Sequence, residues 1–134
     1  MIFVDASAFL GWYNRSDQYH ALARPVWLNL EAQGRRLYTS NFVLDETLTL
    51  LARRTSYAFA AEQGGALYDS TTLTILRPSK QDELASLELF EKYADQKISF
   101  TDCVSFVLMR KVGLKEVFTF DQHFRYAGFE VVPA

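Results

Sequence analysis

The sequence predicts an α/β fold in which a central, mostly parallel sheet of four to five strands lies between layers of helices. Three observations predict it. Short runs with strand character alternate with longer segments of helical period, the pattern that builds a parallel sheet with helices on its faces. Of the 134 residues, 49% are hydrophobic and 15% aromatic, enough apolar surface for one core of ordinary size and too much for disorder. Glycine, proline and capping residues fall between these segments, where elements should stop.

In order, "IFV" (2–4), "RLYTS" (36–40), "LTIL" (73–76) and "EVFTF" (116–120) read as buried strands, and "FEVV" (129–132) as a shorter edge strand. Helices are expected near 6–13, 19–33, 42–54, 56–69, 80–93 and 102–112. Gly34 and Gly113 follow two of them as C-terminal stops. Ser79, with Asp82 three residues on, resembles a capping box opening the 80–93 helix. The stretch "EQGGAL" (62–67) suggests a break in the 56–69 helix. No repeat, low-complexity tract or linker interrupts the chain, so residues 1–134 are expected to form one domain.

Fourteen basic and sixteen acidic residues give a net charge of −2. That balance argues against nucleic-acid binding through general positive charge, while leaving room for local basic patches. The single cysteine, Cys103, permits neither an internal disulfide nor a cysteine-only zinc site, and reads as a small buried hydrophobe. The N-terminal "MIFVDASAFLGWY" is apolar but lacks a basic leader and is interrupted by Asp5, so neither a signal peptide nor a membrane span is expected. A cytoplasmic protein is the simplest expectation.

The informative acids lie where strands end. In open α/β sheets, ligands bind beyond the carboxyl ends of the strands. Asp5 follows "IFV", Asp121 follows "VFTF", Asp102 opens the helix after "KISF", and Glu46 lies in the first turns of the helix after 36–40. Each has an ordinary structural explanation. Asp5 can begin a turn, Asp102 and Asp121 can cap helices, and Glu46 can favour a helix dipole. Together they mean more, because two carboxylates about 5 Å apart repel by roughly 3 kcal/mol at an effective dielectric near 20. A cluster of that kind calls for a cation. Oxygen-only ligands favour Mg²⁺ or Mn²⁺, and without a cysteine pair or His-x-x-x-His spacing, structural zinc is poorly supported. Hard divalent ions held by carboxylates commonly serve phosphoryl chemistry, and phosphodiester hydrolysis fits. Bound ions would also reverse the sign of an acidic pocket that otherwise repels a phosphate backbone.

These residues carry a resemblance over essentially the full length. "FVDASAF", "DQYHALA", "NFVLDETLTLLARR", "ISFTDCVSF" and "VFTFDQHF" occur in the order and spacing of PIN-domain ribonucleases, and the chain resembles the VapC-type toxins of toxin–antitoxin pairs. The resemblance implies a PIN-like three-layer α/β/α sandwich. It also implies a metal-dependent endoribonuclease with Asp5, Glu46, Asp102 and Asp121 as an acidic quartet holding Mg²⁺ or Mn²⁺. Attack by a metal-activated water would leave a 5′-phosphate and a 3′-hydroxyl. Ser7 and Thr119 match hydroxyl positions that support the acids. A VapB-like antitoxin and a homodimer are further implications. Asp102 is expected to combine the duties of helix cap and metal ligand.

Other residues are weighed against plainer roles. Asp45 sits about 100° around the helix from Glu46 and should face elsewhere. Asp95 reads as a solvated loop acid. His20 should be a packed, hydrogen-bonded histidine. His123 either contacts RNA or faces solvent. Arg53, two turns along from Glu46, could reach a flanking phosphate. Arg15, Arg35, Arg36, Arg110, Lys111 and Arg125 are weaker candidates, and Trp12, Tyr13 and Tyr57 could stack on bases. Three other functions compete. A phosphoacceptor receiver domain would want an acidic pair after the first strand and a lysine after the last strands, and both are missing. A PIN-like binding module without chemistry is countered by the intact quartet. A flap-type DNA nuclease would want duplex-binding elements.

Overall fold

A computed structural model describes residues 1–134. The elements run β1 (Ile2–Val4), α1 (Ala6–Tyr13), α2 (His20–Ala32), β2 (Leu37–Ser40), α3 (Asn41–Arg54), α4 (Tyr57–Asp69), β3 (Leu73–Leu76), α5 (Lys80–Lys92), a 3₁₀ turn (Ala94–Gln96), α6 (Phe100–Val112), β4 (Glu116–Phe118), α7 (His123–Tyr126) and β5 (Glu130–Val132). The five strands form one sheet in the order β3-β2-β1-β4-β5, and every pairing is parallel. From the central β1 the chain builds outward through β2 to β3. It then crosses back to β4 and on to β5. The winding therefore reverses between β1 and β4, the switch point at which open α/β sheets leave a crevice.

β1 is short, apolar and wholly buried, as a central strand covered on both faces must be. Phe3 pairs with Tyr38 on one side and Val117 on the other. β1 shares one continuous core with Phe9 of α1, Leu44 of α3 and Phe106 and Met109 of α6. Phe106 also meets Phe124 edge to face, with ring centroids 5.0 Å apart, which ties α7 and the end of β4 to that core. The Trp27 indole donates a hydrogen bond to the Ala8 carbonyl (3.0 Å), fastening α2 to α1.

The helix punctuation follows local chemistry. Ser79 and Asp82 form a reciprocal capping box, and Gly34 and Gly113 take positive φ values of 62° and 77° after α2 and α6, a backbone that glycine adopts at no steric cost.

Four sequence expectations change. The segment "LTIL", expected to be a buried strand, is β3 at one edge of the sheet, and its residues are half-buried or exposed. Asp102 is not the cap of its helix, because Ser99 takes that position and its hydroxyl accepts the Asp102 backbone N–H (3.1 Å). α4 runs unbroken through Gly64 and Gly65. Gly64 is an approach point, where an added Cβ would stand 3.1 Å from Leu48 Cδ1 of α3. β4 stops at Phe118 rather than at 120. Beyond Thr119, the amides of Phe120 and Asp121 donate to the hydroxyls of Ser7 and Thr119, and so leave the strand ladder.

Candidate active site

The switch point holds a cavity of about 330 Å³, lined by Asp5, Ser7, Asp17, Tyr19, Glu46, Arg54, Lys97, Asp102, Asp121 and His123 among others. Asp5 comes to it directly from β1, its backbone N–H donating to the Phe118 carbonyl of β4 (3.0 Å). α3 brings Glu46, the first turn of α6 brings Asp102, and the turn after β4 brings Asp121. Asp5 and Asp102 are buried, while Asp121 keeps about a third of its side-chain surface.

Two hydroxyls fix Asp5. Thr119 Oγ1 donates to Asp5 Oδ2 (2.8 Å) and accepts the Asp121 backbone N–H (3.0 Å). Ser7 Oγ lies 3.1 Å from the same carboxylate oxygen and accepts the Phe120 N–H (3.0 Å). Each hydroxyl thus uses its proton on the acid and its lone pair on a backbone amide, a fully satisfied bridge between the ends of β1 and β4. Asp121 in turn accepts the backbone N–H of His123 (2.9 Å).

Such an arrangement is electrostatically costly without a cation. Burial first, and then the charges of Asp5 and Asp121, push the Asp102 carboxyl up to about 9 from its usual 3.8. Burial likewise raises Asp5, opposed in part by the Thr119 hydroxyl. Glu46 is raised by burial and then by the charges of Asp5 and Asp121. Carboxyls that resist ionisation together are the signature of like charges crowded in a dry site.

The structure brings all four predicted acids and Ser7 onto one cavity, with Thr119 behind Asp5. Its tightest donor group has a different membership, since Asp102, Asp121 and His123 each offer an atom within 4.8 Å of the others. His123 was expected to reach RNA or face solvent; its ring lines the cavity with about a third of its surface exposed, and its Nδ1 lies 3.2 Å from Asp121 Oδ1 and 3.6 Å from Asp102 Oδ2. Arg53 is exposed and outside the cavity, and Arg54 stands in it. The cavity follows the oblique ridge Glu46, Leu50, Arg54, and such i, i+4, i+8 ridges run at an angle to a helix axis. Arg15 lines a separate depression with Trp12, Tyr13 and Arg24.

The sequence offered Asp17 only as part of the "DQYHALA" resemblance, without a role at the site, and Lys97 not at all. Asp17 accepts the Tyr19 N–H (2.9 Å) and lies 4.0 Å from the Arg54 guanidinium. Lys97 holds the left-handed φ of 55° just before the Ser99 cap. A signal for each was present, in the Asp-x-Tyr turn before α2 and in the basic residue leading into the α6 cap. Other basic candidates are engaged elsewhere: Arg35 pairs with Glu116 (3.0 Å), Lys111 with Asp82 (2.9 Å), and Arg110 donates to the Ala127 carbonyl (2.9 Å). Asp45 and Asp95 are exposed, and His20 Nδ1 is hydrogen-bonded with the Gly11 carbonyl at 2.8 Å.

A five-stranded parallel sheet whose switch point gathers acids from β1, α3, α6 and the β4 turn defines a class. The chain belongs to the PIN domain family, whose model matches residues 2–130. That membership sets the receiver alternative aside. Among curated relatives, the chain is 36% identical over 134 residues, 99% of both chains, to the 23S rRNA-specific endonuclease VapC20 of Mycobacterium tuberculosis. It is 30% identical over 123 residues to a VapC ribonuclease of Archaeoglobus fulgidus, covering 90% of this chain and 77% of that one. The solved structure of the Mycobacterium tuberculosis VapC20, described as a sarcin–ricin loop cleaving toxin, superposes with a TM-score of 0.87 at 33% identity over 96% of each chain.

Proposed function

We propose that this chain is a metal-dependent endoribonuclease that hydrolyses RNA phosphodiester bonds, and the toxin of a type II toxin–antitoxin pair. The observation that carries the reading is the meeting of Asp5, Glu46, Asp102 and Asp121 on one cavity at the sheet's switch point. The relatives named as ribonucleases support it, and they make 23S ribosomal RNA the first substrate to test.

The donor set fits a hard divalent ion. Four carboxyls supply oxygen ligands, three of them are driven towards the neutral form by burial and mutual repulsion, and a buried Nδ1 of His123 has no hydrogen-bond partner beside them. Asp5, Glu46, Asp102 and Asp121 would hold Mg²⁺ or Mn²⁺. When bound, such an ion lowers the pKa of an attacking water and offsets the charge that builds on the phosphoryl oxygens. Ser7 and Thr119 hold the Asp5 carboxylate in one orientation, so that the acid needs no rearrangement as charge develops. Arg54 and Lys97 place positive charge on the cavity wall, where the phosphates flanking the scissile bond would run. Arg53 and Arg15 are outlying backbone contacts in this reading. The products are a 5′-phosphate and a 3′-hydroxyl.

An antitoxin of the VapB kind and a second copy of the chain are the proposed protein partners. The exposed apolar stripe Leu84, Leu87 and Phe90 on α5 supports the homodimer, and a Leu87→Glu variant that sediments like the wild type would count against that face. No helix is long and apolar enough to cross a membrane, and a cytoplasmic location follows from the proposed substrate.

The test is cleavage of a sarcin–ricin hairpin and of an unrelated structured RNA with Mg²⁺ or Mn²⁺. Cleavage that EDTA and Asp5→Asn both abolish is the expected result. Undiminished cleavage under both conditions would overturn the assignment.

A further inference from the structure

We propose that His123 is a metal ligand through Nδ1, giving the centre a mixed nitrogen and oxygen donor set that favours a first-row transition ion such as Mn²⁺ over Mg²⁺. The inference rests on the reading of this cavity as a metal centre, and adds a donor that an all-carboxylate site lacks.

The geometry carries it. His123 opens α7, and its backbone N–H donates to Asp121 Oδ1, which turns the ring back over the acids. The ring keeps about a third of its surface exposed, yet Nδ1 itself is buried. It stands 3.2 Å from Asp121 Oδ1, near enough for a hydrogen bond that it does not make, and 3.6 Å from Asp102 Oδ2. Ligands at about 2.1 Å from an octahedral ion stand about 3 Å apart along each edge of the octahedron. The two separations are close to that spacing. A buried ring nitrogen without a hydrogen bond, facing two carboxylates at coordination spacing, has the geometry of a ligand atom. The other histidine shows the contrast, because the Nδ1 of His20 is already satisfied by the Gly11 carbonyl.

The choice of ion follows from donor chemistry. Mg²⁺ takes oxygen ligands almost exclusively and keeps much of its water, whereas imidazole is a common ligand of transition ions. Removing the ring should therefore weaken Mn²⁺ more than Mg²⁺.

The experiment is pulsed electron paramagnetic resonance of the full chain loaded with one equivalent of Mn²⁺. A ¹⁴N modulation from a directly bound nitrogen is expected, replaced by a ¹⁵N pattern in ¹⁵N-histidine-labelled protein and lost in His123→Gln. With only two histidines in the sequence, the signal has one competing source, and it should survive in His20→Gln. Calorimetry should show Mn²⁺ affinity falling about tenfold or more in His123→Gln, with Mg²⁺ affinity changing by less than about threefold. Bound Mn²⁺ without nitrogen modulation in the wild type would overturn the role of His123 and leave the carboxylate centre standing. Failure of Mn²⁺ to bind at all would overturn the metal reading itself.

Discussion

Replacing Asp102 with asparagine should stabilise the metal-free protein, although it removes a residue central to the proposed chemistry. In the fold the carboxyl titrates near 9, against 3.8 when unperturbed. At pH 7 the unfolded chain has released that proton and the folded chain still holds it. Each pH unit between 3.8 and 7 is worth about 1.4 kcal/mol, so keeping Asp102 neutral costs the fold about 4 kcal/mol. Asparagine is neutral in both states and escapes this cost. Imperfect hydrogen bonding of its amide takes back about 1 to 2 kcal/mol, leaving a gain of about 2 to 3 kcal/mol and a rise in Tm of roughly 10 °C for a chain of this size. Chelator-treated wild type and variant, compared by urea denaturation and thermal melting at pH 7 and again at pH 4, provide the assay. At pH 4, where the unfolded carboxyl is itself about half protonated, the electrostatic cost falls below about 1 kcal/mol, so the gain should vanish and turn into a loss of about 1 kcal/mol. A variant that is less stable at pH 7, or whose advantage does not depend on pH, would refute the electrostatic reasoning.

Further predictions share that basis. The metal-free wild type should lose stability as pH rises from 4 towards 9, because the folded state binds more protons than the unfolded chain across that window; Mn²⁺ should oppose the loss, and a melting temperature that climbs with pH in chelator would contradict this. Ser7→Ala should lower cleavage about 10- to 100-fold with a stability loss of about 1 to 2 kcal/mol, since it frees one side of Asp5 and leaves the Phe120 amide unpaired. Arg54→Ala should raise KM several-fold and leave kcat nearly unchanged, and Arg53→Ala should do less, as steady-state kinetics will report. Gly64→Val should lower stability by about 1 to 3 kcal/mol in denaturation experiments, because its side chain meets Leu48.

Much of this molecule was legible in the sequence because a buried parallel sheet writes itself plainly. A run such as "IFV" has no alternative to burial, whereas the equally apolar "LTIL" forms an edge strand that stays partly exposed, and the residue after a buried strand emerges at the sheet edge whatever its identity. Asp5 follows from that logic directly, whereas Asp121 stands three residues past the end of β4, where its backbone N–H donates to the Thr119 hydroxyl. Of the two duties expected of Asp102, the cap falls to Ser99, which was equally able to cap and lies nearer the start of the helix. Azimuth was harder than position. Arg53 and Arg54 are adjacent in sequence, yet only Arg54 lines the cavity, on the ridge it shares with Glu46 and Leu50. The inward turn of His123 depends on a hydrogen bond between its own backbone and Asp121, a local geometry that composition and periodicity do not encode. The continuity of α4 through Gly64 likewise depends on how closely α3 approaches, which is a tertiary fact.

The central claim is that residues from β1, α3, α6 and the β4 turn share a divalent ion. Anomalous diffraction at the manganese edge, from crystals of the full chain equilibrated with Mn²⁺, tests it most directly. The account predicts a peak inside the cavity, in contact with carboxylate oxygens of Asp102 and Asp121. A cavity without a peak while Mn²⁺ scatters elsewhere in the same crystal would contradict it.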